Sequence, residues 1–102
     1  MKILCICNQG ENRSKTTAEL LSKTGKYSVK YEGFHSDKFR PALLNWADKI
    51  IVYEEEHEEL LKQYGMKYWG ISLNLHIPDK YYYGQNELIK LLKAGLRNFQ
   101  LL

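Results

Sequence analysis

One cysteine and one arginine bracket a short segment whose residue types suit an anion site. Cys7 and Arg13 have five residues between them, and Ser14 follows directly. An apolar run precedes Cys7 and a helical pattern follows Ser14, so the segment is predicted to be the loop between a strand and a helix. The backbone N–H groups of such a loop can converge with those of the helix N-terminus on one tetrahedral oxyanion. Their positive field also favours the thiolate, which is the nucleophilic form of cysteine.

The residue types in this segment predict a division of roles. Cys7 is the predicted nucleophile, and the planar guanidinium of Arg13 is predicted to hold two phosphate oxygens. The Ser14 hydroxyl can hydrogen-bond the Cys7 sulfur, and it can equally cap the helix. The residues between them are predicted to bind phosphate mainly through their backbone N–H groups: Asn8, Gln9, Gly10, Glu11 and Asn12. Gly10 can adopt the positive φ that such a loop requires.

An aspartate near the end of the chain is the candidate proton donor. Asp79 follows Pro78 after a predicted strand, and the proline stiffens the backbone at that point. One carboxyl group can protonate the leaving oxygen of a phosphate ester and then activate water against a phosphocysteine. Three aromatic residues predicted to wall the cleft come next: Tyr81, Tyr82 and Tyr83. Taken without the cysteine loop, the same segment describes an ordinary turn with half-buried aromatic residues.

The elements that must position these residues alternate between strands and helices. The strands are predicted over residues 3–6, 27–31, 49–53 and 68–75. The helices are predicted over residues 16–22, 39–47, 55–64 and 87–99. This alternation predicts an α/β fold in which a parallel sheet carries helices on both faces. Because ligands bind beyond the carboxyl ends of such strands, the loops that carry Cys7 and Asp79 should open on the same edge.

Three further patterns predict structural roles only. The last helix is predicted to place five apolar side chains on one face: Leu88, Leu91, Leu92, Leu96 and Phe99. The histidines lack metal-ligand spacing, so surface or capping roles are predicted for His35, His57 and His76. The glutamates from Glu54 onward are predicted to form a solvated helix start that the helix dipole favours.

Length and composition predict a single domain over residues 1–102 that is globular, since 44% of the residues are hydrophobic. Cys5 lies inside the first strand and is read as core, so the two cysteines predict a reduced, cytoplasmic protein. No apolar run approaches the roughly 20 residues that span a membrane, and a signal-peptide pattern is lacking. The net charge of +3 suits an anionic ligand without requiring nucleic acid.

These motifs together resemble the low-molecular-weight protein tyrosine phosphatases, in particular their short bacterial and phage members. The resemblance covers nearly the whole chain and rests on residues 7–14, 46–53, 77–83 and 87–92. It implies a three-layer αβα fold of the phosphotyrosine protein phosphatase I type, with a four-stranded parallel sheet in the order 2-1-3-4. It also implies a phosphocysteine mechanism, with Cys7 as nucleophile, Arg13 as phosphate clamp and Asp79 as acid and then base. Neither a cofactor nor a metal is implied.

The sequence leaves the substrate, the oligomeric state and two rival functions open. The substrate can be a phosphotyrosine protein, a small phosphate ester, a nucleotide or a nucleic-acid end. A phosphocysteine carrier of the sugar-transport IIB type would need neither Arg13 nor Asp79, so their presence argues against that class. A non-catalytic module that binds a phosphorylated ligand is the second rival. Arsenate reduction needs further cysteines to relay a disulfide, and Cys5 is in the wrong place for that.

Overall fold

A computed structural model describes all 102 residues, Met1–Leu102. Its four parallel strands form one sheet in the order β2-β1-β3-β4. The strands are β1 (Lys2–Cys7), β2 (Ser28–Gly33), β3 (Lys49–Val52) and β4 (Ser72–Asn74). The helices are α1 (Arg13–Ser22), α2 (Leu43–Trp46), α3 (Glu55–Tyr64), α4 (Met66–Gly70) and α5 (Asn86–Asn98). The predicted fold class and strand order are confirmed.

The central strand β1 is apolar and buried from Ile3 to Cys7, because both faces of the sheet are covered there. Its alternate side chains enter two different hydrophobic clusters. Ile3, Cys5 and Cys7 belong to the cluster that contains the inner residues of α1 and α5, while Leu4 and Ile6 belong to the cluster that contains those of α2 and α3. Helices therefore lie on both faces, and the loops at the carboxyl ends of the strands are left free for a site.

Two predicted elements are wrong in their extent. Residues 66–70 form the short helix α4, so the fourth strand is limited to Ser72–Asn74. The aromatic residues Tyr68 and Trp69 favour a strand locally, but the Tyr68 ring packs against the core from a helical turn. The predicted helix over 39–47 is regular only over Leu43–Trp46, after Pro41, whose missing N–H and fixed φ suit a turn.

The buried face of α5 is narrower than predicted. Leu88, Leu92 and Leu96 are fully buried, whereas Leu91 and Phe99 are 41% and 40% exposed. Leu91 lies to the side of this stripe of residues four apart, and Phe99 follows the last helical residue. No helix of the structure combines the length and the apolar character needed to cross a lipid bilayer.

Candidate active site

The predicted nucleophile and the predicted acid lie at the same edge of the sheet. Cys7 ends β1, and Asp79 lies in the loop that follows β4. The two loops touch, since Nδ2 of Asn8 donates a hydrogen bond to Oδ2 of Asp79 at 2.9 Å, across 71 residues of sequence. The parallel topology therefore brings together the two halves of the chemistry that the sequence analysis assigned separately.

Two glycines give the loop after β1 its shape. Gly10 has a φ of 73°, in the left-handed region that glycine adopts at no steric cost. A Cβ on Gly10 would lie 2.8 Å from the carbonyl carbon of Glu32, and a Cβ on Gly33 would lie 2.2 Å from that of Gln9. The loop thus packs backbone to backbone against the end of β2, which admits no side chain at either glycine.

The same loop keeps its N–H groups free. Its carbonyl groups are used on the outside, because Phe34 N–H donates to the Cys7 carbonyl at 2.9 Å and His35 N–H donates to the Asn8 carbonyl at 2.8 Å. No backbone N–H from residue 8 to residue 15 donates to a backbone acceptor; the first to do so is that of Thr16. Since α1 begins within this range, loop and helix N-terminus together form a set of donors suited to an oxyanion.

Cys7 and Ser14 form the centre of this set. The Cys7 side chain is 3% exposed, and its Sγ lies 3.1 Å from Oγ of the buried Ser14. A hydroxyl donates to sulfur when the cysteine is a thiolate, so Ser14 is placed to stabilise the nucleophilic form. Cys5 differs in kind, because burial raises the pKa of its thiol far above the ordinary value. Cys5 therefore stays protonated, and its predicted place in the core is confirmed.

Arg13 is fully buried and only part of its guanidinium is engaged by the protein. Nη1 donates to the Ile77 carbonyl at 2.6 Å, which ties the acid-bearing loop to α1. Nε and Nη2 are buried and have no hydrogen-bond partner in the protein. These two groups share one edge of the guanidinium, and that edge can hold two oxygens of a phosphate in a fork.

A buried lining holds Arg13 in place. The guanidinium carbon lies 5.4 Å from the centre of the Tyr53 ring. The Tyr53 hydroxyl donates to Oγ1 of Thr17 at 2.7 Å, and Thr17 in turn donates to the Arg13 carbonyl at 2.7 Å. Burial raises the pKa of Tyr53 well above its ordinary value, so the ring stays neutral.

Glu54 is a site residue that the sequence analysis missed. It was predicted to be solvated, but its side chain is only 32% exposed and Oε2 lies 2.8 Å from Nη1 of Arg13. Oε2 of Glu54 has no hydrogen-bond partner in the protein, so this is a charge contact without hydrogen-bond geometry. Glu54 comes two residues after β3, and its place at the carboxyl edge of a central strand is the signal that could have identified it.

His57 is a second missed residue. The predicted surface position is wrong for it, since the ring is fully buried, although Nδ1 does cap the turn before α3 by accepting the Tyr53 N–H at 3.1 Å. Burial, reinforced by the charge of Arg13 and opposed by Glu54, lowers the pKa of His57 from 6.5 to about 4. The ring is therefore neutral near pH 7 and carries its proton on Nε2, which lies 2.8 Å from Oδ1 of Asn8.

The loop that follows Asp79 is fastened to α1. Tyr83 N–H donates to Oδ1 of Asn12 at 3.0 Å, and Gly84 N–H donates to Oγ1 of Thr16 at 3.2 Å. The Tyr83 hydroxyl also donates to Glu19. Asn12 therefore contributes a side-chain contact to this loop, in addition to the backbone N–H for which the sequence selected it.

The three predicted cleft tyrosines differ in their surroundings. Tyr81 is half-buried and packs against the hydrophobic cluster below α5. Tyr83 is 42% exposed, and the ammonium group of Lys15 lies 4.4 Å from its ring centre. Tyr82 is 76% exposed, so its ring is the one most available to a ligand. No cluster of three or more His, Cys, Asp or Glu side chains has an arrangement that could hold a metal ion.

Comparisons with known proteins agree with this geometry at the level of the fold. No protein-family model matches the chain, and no curated protein matches its sequence. Among solved structures, the tyrosine phosphatase Wzb from Escherichia coli K30 in complex with phosphate has a TM-score of 0.80 at 19% identity, over 96% of this chain and 94% of that chain.

Two further structures extend this result. The YwlE arginine phosphatase from Geobacillus stearothermophilus has a TM-score of 0.76 at 15% identity, over 97% of this chain and 92% of that chain. The low-molecular-weight protein tyrosine phosphatase from T. tengcongensis has a TM-score of 0.77 at 13% identity, over 99% of this chain and 96% of that chain. The chain therefore has the fold of the low-molecular-weight tyrosine phosphatases, as the sequence resemblance implies.

Proposed function

We propose that the protein is a cysteine-dependent phosphomonoesterase that works through a phosphocysteine intermediate. The observation that carries this proposal is the buried Nε–Nη2 edge of Arg13, which has no hydrogen-bond partner in the protein and adjoins a loop of free N–H groups around Cys7. Such an arrangement holds the three non-bridging oxygens of a phosphoryl group and stabilises the charge that they carry in the transition state. The related fold of two kinds of phosphatase supports the same reaction class.

The first step transfers the phosphoryl group to sulfur. The Cys7 thiolate attacks phosphorus, an S–P bond forms, and the bond from phosphorus to the leaving oxygen breaks. The protonated carboxyl group of Asp79 donates its proton to that oxygen, so the alcohol leaves neutral. Asp79 is suited to this role because its carboxyl group is half-exposed and lies 3.7 Å from Nη2 of Arg13, at the entrance to the phosphate loop.

The second step returns the enzyme to its starting state. The Asp79 carboxylate takes a proton from water, the oxygen of that water attacks phosphorus, and the S–P bond breaks. The electron pair returns to Cys7 as a thiolate. The Ser14 hydroxyl, 3.1 Å from Sγ, then donates to the departing sulfur.

The proposed substrate is a phosphorylated protein side chain or a small phosphate ester. Phosphotyrosine is favoured by the exposed Tyr82 ring, which can stack against a flat aryl group at the cleft. Phosphoarginine belongs in the same comparison because an arginine phosphatase has this fold. We place the protein in the cytoplasm, where a reducing environment would keep its two free thiols, Cys5 and Cys7, reduced.

The test compares wild type with Cys7→Ser in the hydrolysis of para-nitrophenyl phosphate between about pH 5 and pH 7. Wild type should turn over and yield a phosphocysteine that mass spectrometry detects after a rapid alkaline quench. Cys7→Ser should bind phosphate without turnover. Cys5→Ala is the matched control, since Cys5 lies in the core outside the site, and it should retain turnover. A wild type that binds phosphate but never turns over would instead support the carrier or the binding module.

A further inference from the structure

The side chain of Asn8 connects a buried histidine to the predicted acid. Its Oδ1 lies 2.8 Å from Nε2 of His57, and its Nδ2 lies 2.9 Å from Oδ2 of Asp79. We propose that Asn8 is a positioning residue whose contact with His57 fixes the orientation of the Asp79 carboxyl group for both proton transfers. This inference rests on the proposed phosphomonoesterase function and goes beyond it, since it assigns roles to two groups that touch neither substrate nor reacting atoms.

The hydrogen-bond partners of the Asn8 amide fix its orientation. An asparagine amide can exchange its donor and acceptor by a half-turn, so its hydrogen-bond partners decide which end points where. The backbone N–H of Tyr53 donates to Nδ1 of His57 at 3.1 Å, which leaves the ring proton on Nε2. Nε2 therefore donates to Asn8 and requires the amide oxygen on that side. The amide NH₂ must then face Asp79.

The neutral state of His57 makes this orientation stable across the working range of pH. Burial and the charge of Arg13 lower the pKa of His57 to about 4. The titratable groups around the ring are Arg13, Glu54 and Asp79 at the phosphate site, His35 on the loop after β2, and Tyr53, whose ring centre lies 6.3 Å from that of His57. Because the ring is neutral, it presents one donor and one acceptor, and both are used.

The two oxygens of the Asp79 carboxyl group have different surroundings. Its side chain is 46% exposed, so nothing but directed contacts prevents the carboxyl group from rotating. The Asn8 donor and the Arg13 guanidinium both approach Oδ2, at 2.9 Å and 3.7 Å. Oδ1 is therefore the oxygen left to carry the proton to the leaving group and to accept the proton of water. Loss of the Asn8 donor would free the carboxyl group to present either oxygen, in many orientations.

A merely structural role for Asn8 would predict a different result. If the contact only held the phosphate loop in shape, its loss would lower kcat/KM for all substrates alike. If the contact acts through Asp79, its loss matters most where the leaving group needs a proton, and it matters little where Asp79 has already been replaced. The dependence of rate on the leaving group, measured with and without Asp79, separates the two roles.

The experiment measures kcat/KM for para-nitrophenyl phosphate and for phenyl phosphate, whose leaving group is the poorer one. The proteins are wild type, Asn8→Leu, Asp79→Asn and the double variant. Leucine keeps the branching and the number of heavy atoms of asparagine without a donor or acceptor. Asn8→Leu should lower kcat/KM by roughly tenfold or more for phenyl phosphate and by clearly less for para-nitrophenyl phosphate. In the Asp79→Asn background it should cause no further loss selective for phenyl phosphate.

The control is Asn45→Leu, because the Asn45 amide contacts Tyr68 outside the site; it should match wild type on both substrates. An equal loss on both substrates by Asn8→Leu, or a full additional loss in the double variant, would overturn the proposal. Should Asn8→Leu fail to fold, as shown by its melting curve and phosphate binding, His57→Phe replaces it. That variant removes the donor to Asn8 and should show the same selective loss.

A measurement on wild type tests the inference without turnover. Nitrogen-15 chemical shifts of the His57 ring near pH 7 should show a proton on Nε2 and none on Nδ1. A ring protonated on Nδ1, or on both nitrogens, would overturn the orientation argument even if the enzyme is active. Absence of Cys7-dependent turnover in wild type would instead refute the proposed function, and the positioning role would fall with it. The two failures are therefore distinguishable.

Discussion

The Oγ atom of Ser14, in the first turn of α1, lies 3.1 Å from Sγ of Cys7, at the end of β1, and both side chains are buried. The contact matters most when sulfur carries a full negative charge, which it does before attack and again as it leaves phosphorus. A hydrogen bond to a charged group contributes about 1.5–3 kcal/mol. The Ser14 hydroxyl is therefore expected to assist the second step at least as much as the first.

Ser14→Ala should lower kcat by roughly tenfold to a hundredfold, the rate equivalent of such a bond. Because departure of sulfur is slowed, phosphocysteine should accumulate during turnover. Rapid-quench mass spectrometry of the steady state measures this directly. Ser22→Ala, at the exposed other end of α1, is the control and should resemble wild type. A phosphocysteine level below that of wild type would show that Ser14 does not assist the second step.

Asp79→Asn should separate substrates by their leaving groups. An amide keeps the shape of the carboxyl group but has no acidic proton, so phenyl phosphate should lose about 10²–10⁴ in kcat/KM, the usual contribution of general acid catalysis. Para-nitrophenyl phosphate, whose leaving group is stable as an anion, should lose far less. The measurement is the slope of log kcat/KM against leaving-group pKa over a series of aryl phosphates, which should steepen.

The control for that series is Asp37→Asn, a change of the same kind in the exposed segment before Phe39. Its slope should equal that of wild type. An unchanged slope in Asp79→Asn would remove Asp79 from the acid role and turn attention to Glu54, the other carboxylate beside Arg13.

Much of the fold could be predicted from the sequence because local residue patterns and the overall topology agree. The apolar run before Cys7, the element alternation and the family resemblance predicted the sheet, its order and the edge at which the loops meet. The bounds of the strands and helices were harder to predict, since aromatic residues such as Tyr68 favour a strand locally while tertiary packing holds them in a helix. At Tyr68, tertiary packing therefore outweighs the local propensity for a strand.

The residues of the site could be predicted only in part, for a related reason. The roles proposed for Cys7, Arg13 and Asp79 follow from residue type and spacing. Glu54 and His57 became site residues through burial and partners distant in sequence, which a charge run and an isolated histidine do not reveal. The contact between Asn8 and Asp79 spans 71 residues, and it depends on side-chain directions that only the folded chain defines.

Gly33→Ala should damage the phosphate loop from a position outside it. The new Cβ would lie 2.2 Å from the Gln9 carbonyl carbon and 2.5 Å from the Gly10 nitrogen. Because both neighbours are backbone, relief requires the loop to move, and overpacking of this kind costs about 1–3 kcal/mol or more. Urea unfolding should show the lost stability, and phosphate affinity should fall with it.

Gly70→Ala is the matched control for that substitution, because a Cβ there meets nothing within 4 Å. It should leave stability within about 0.5 kcal/mol of wild type and phosphate affinity unchanged. Phosphate affinity that survives in Gly33→Ala would mean that the loop does not depend on its contact with the end of β2.

Folding stability should decline as the pH falls from about 6.5 to about 4, in part because of His57. The folded state lowers the pKa of this ring from 6.5 to about 4, so in that window the unfolded chain binds a proton that the folded chain refuses, and stability drops. A tenfold difference in proton affinity is worth about 1.4 kcal/mol, so the loss in free energy of unfolding approaches about 3 kcal/mol at the lower end of this pH window. Urea titrations of wild type and His57→Gln between about pH 4 and pH 6.5 measure this loss.

The difference in stability between wild type and His57→Gln should depend on pH only in that window, while His76→Gln, at an exposed position, should follow wild type. Parallel curves for wild type and His57→Gln would show that the folded protein protonates His57 as readily as the unfolded chain does.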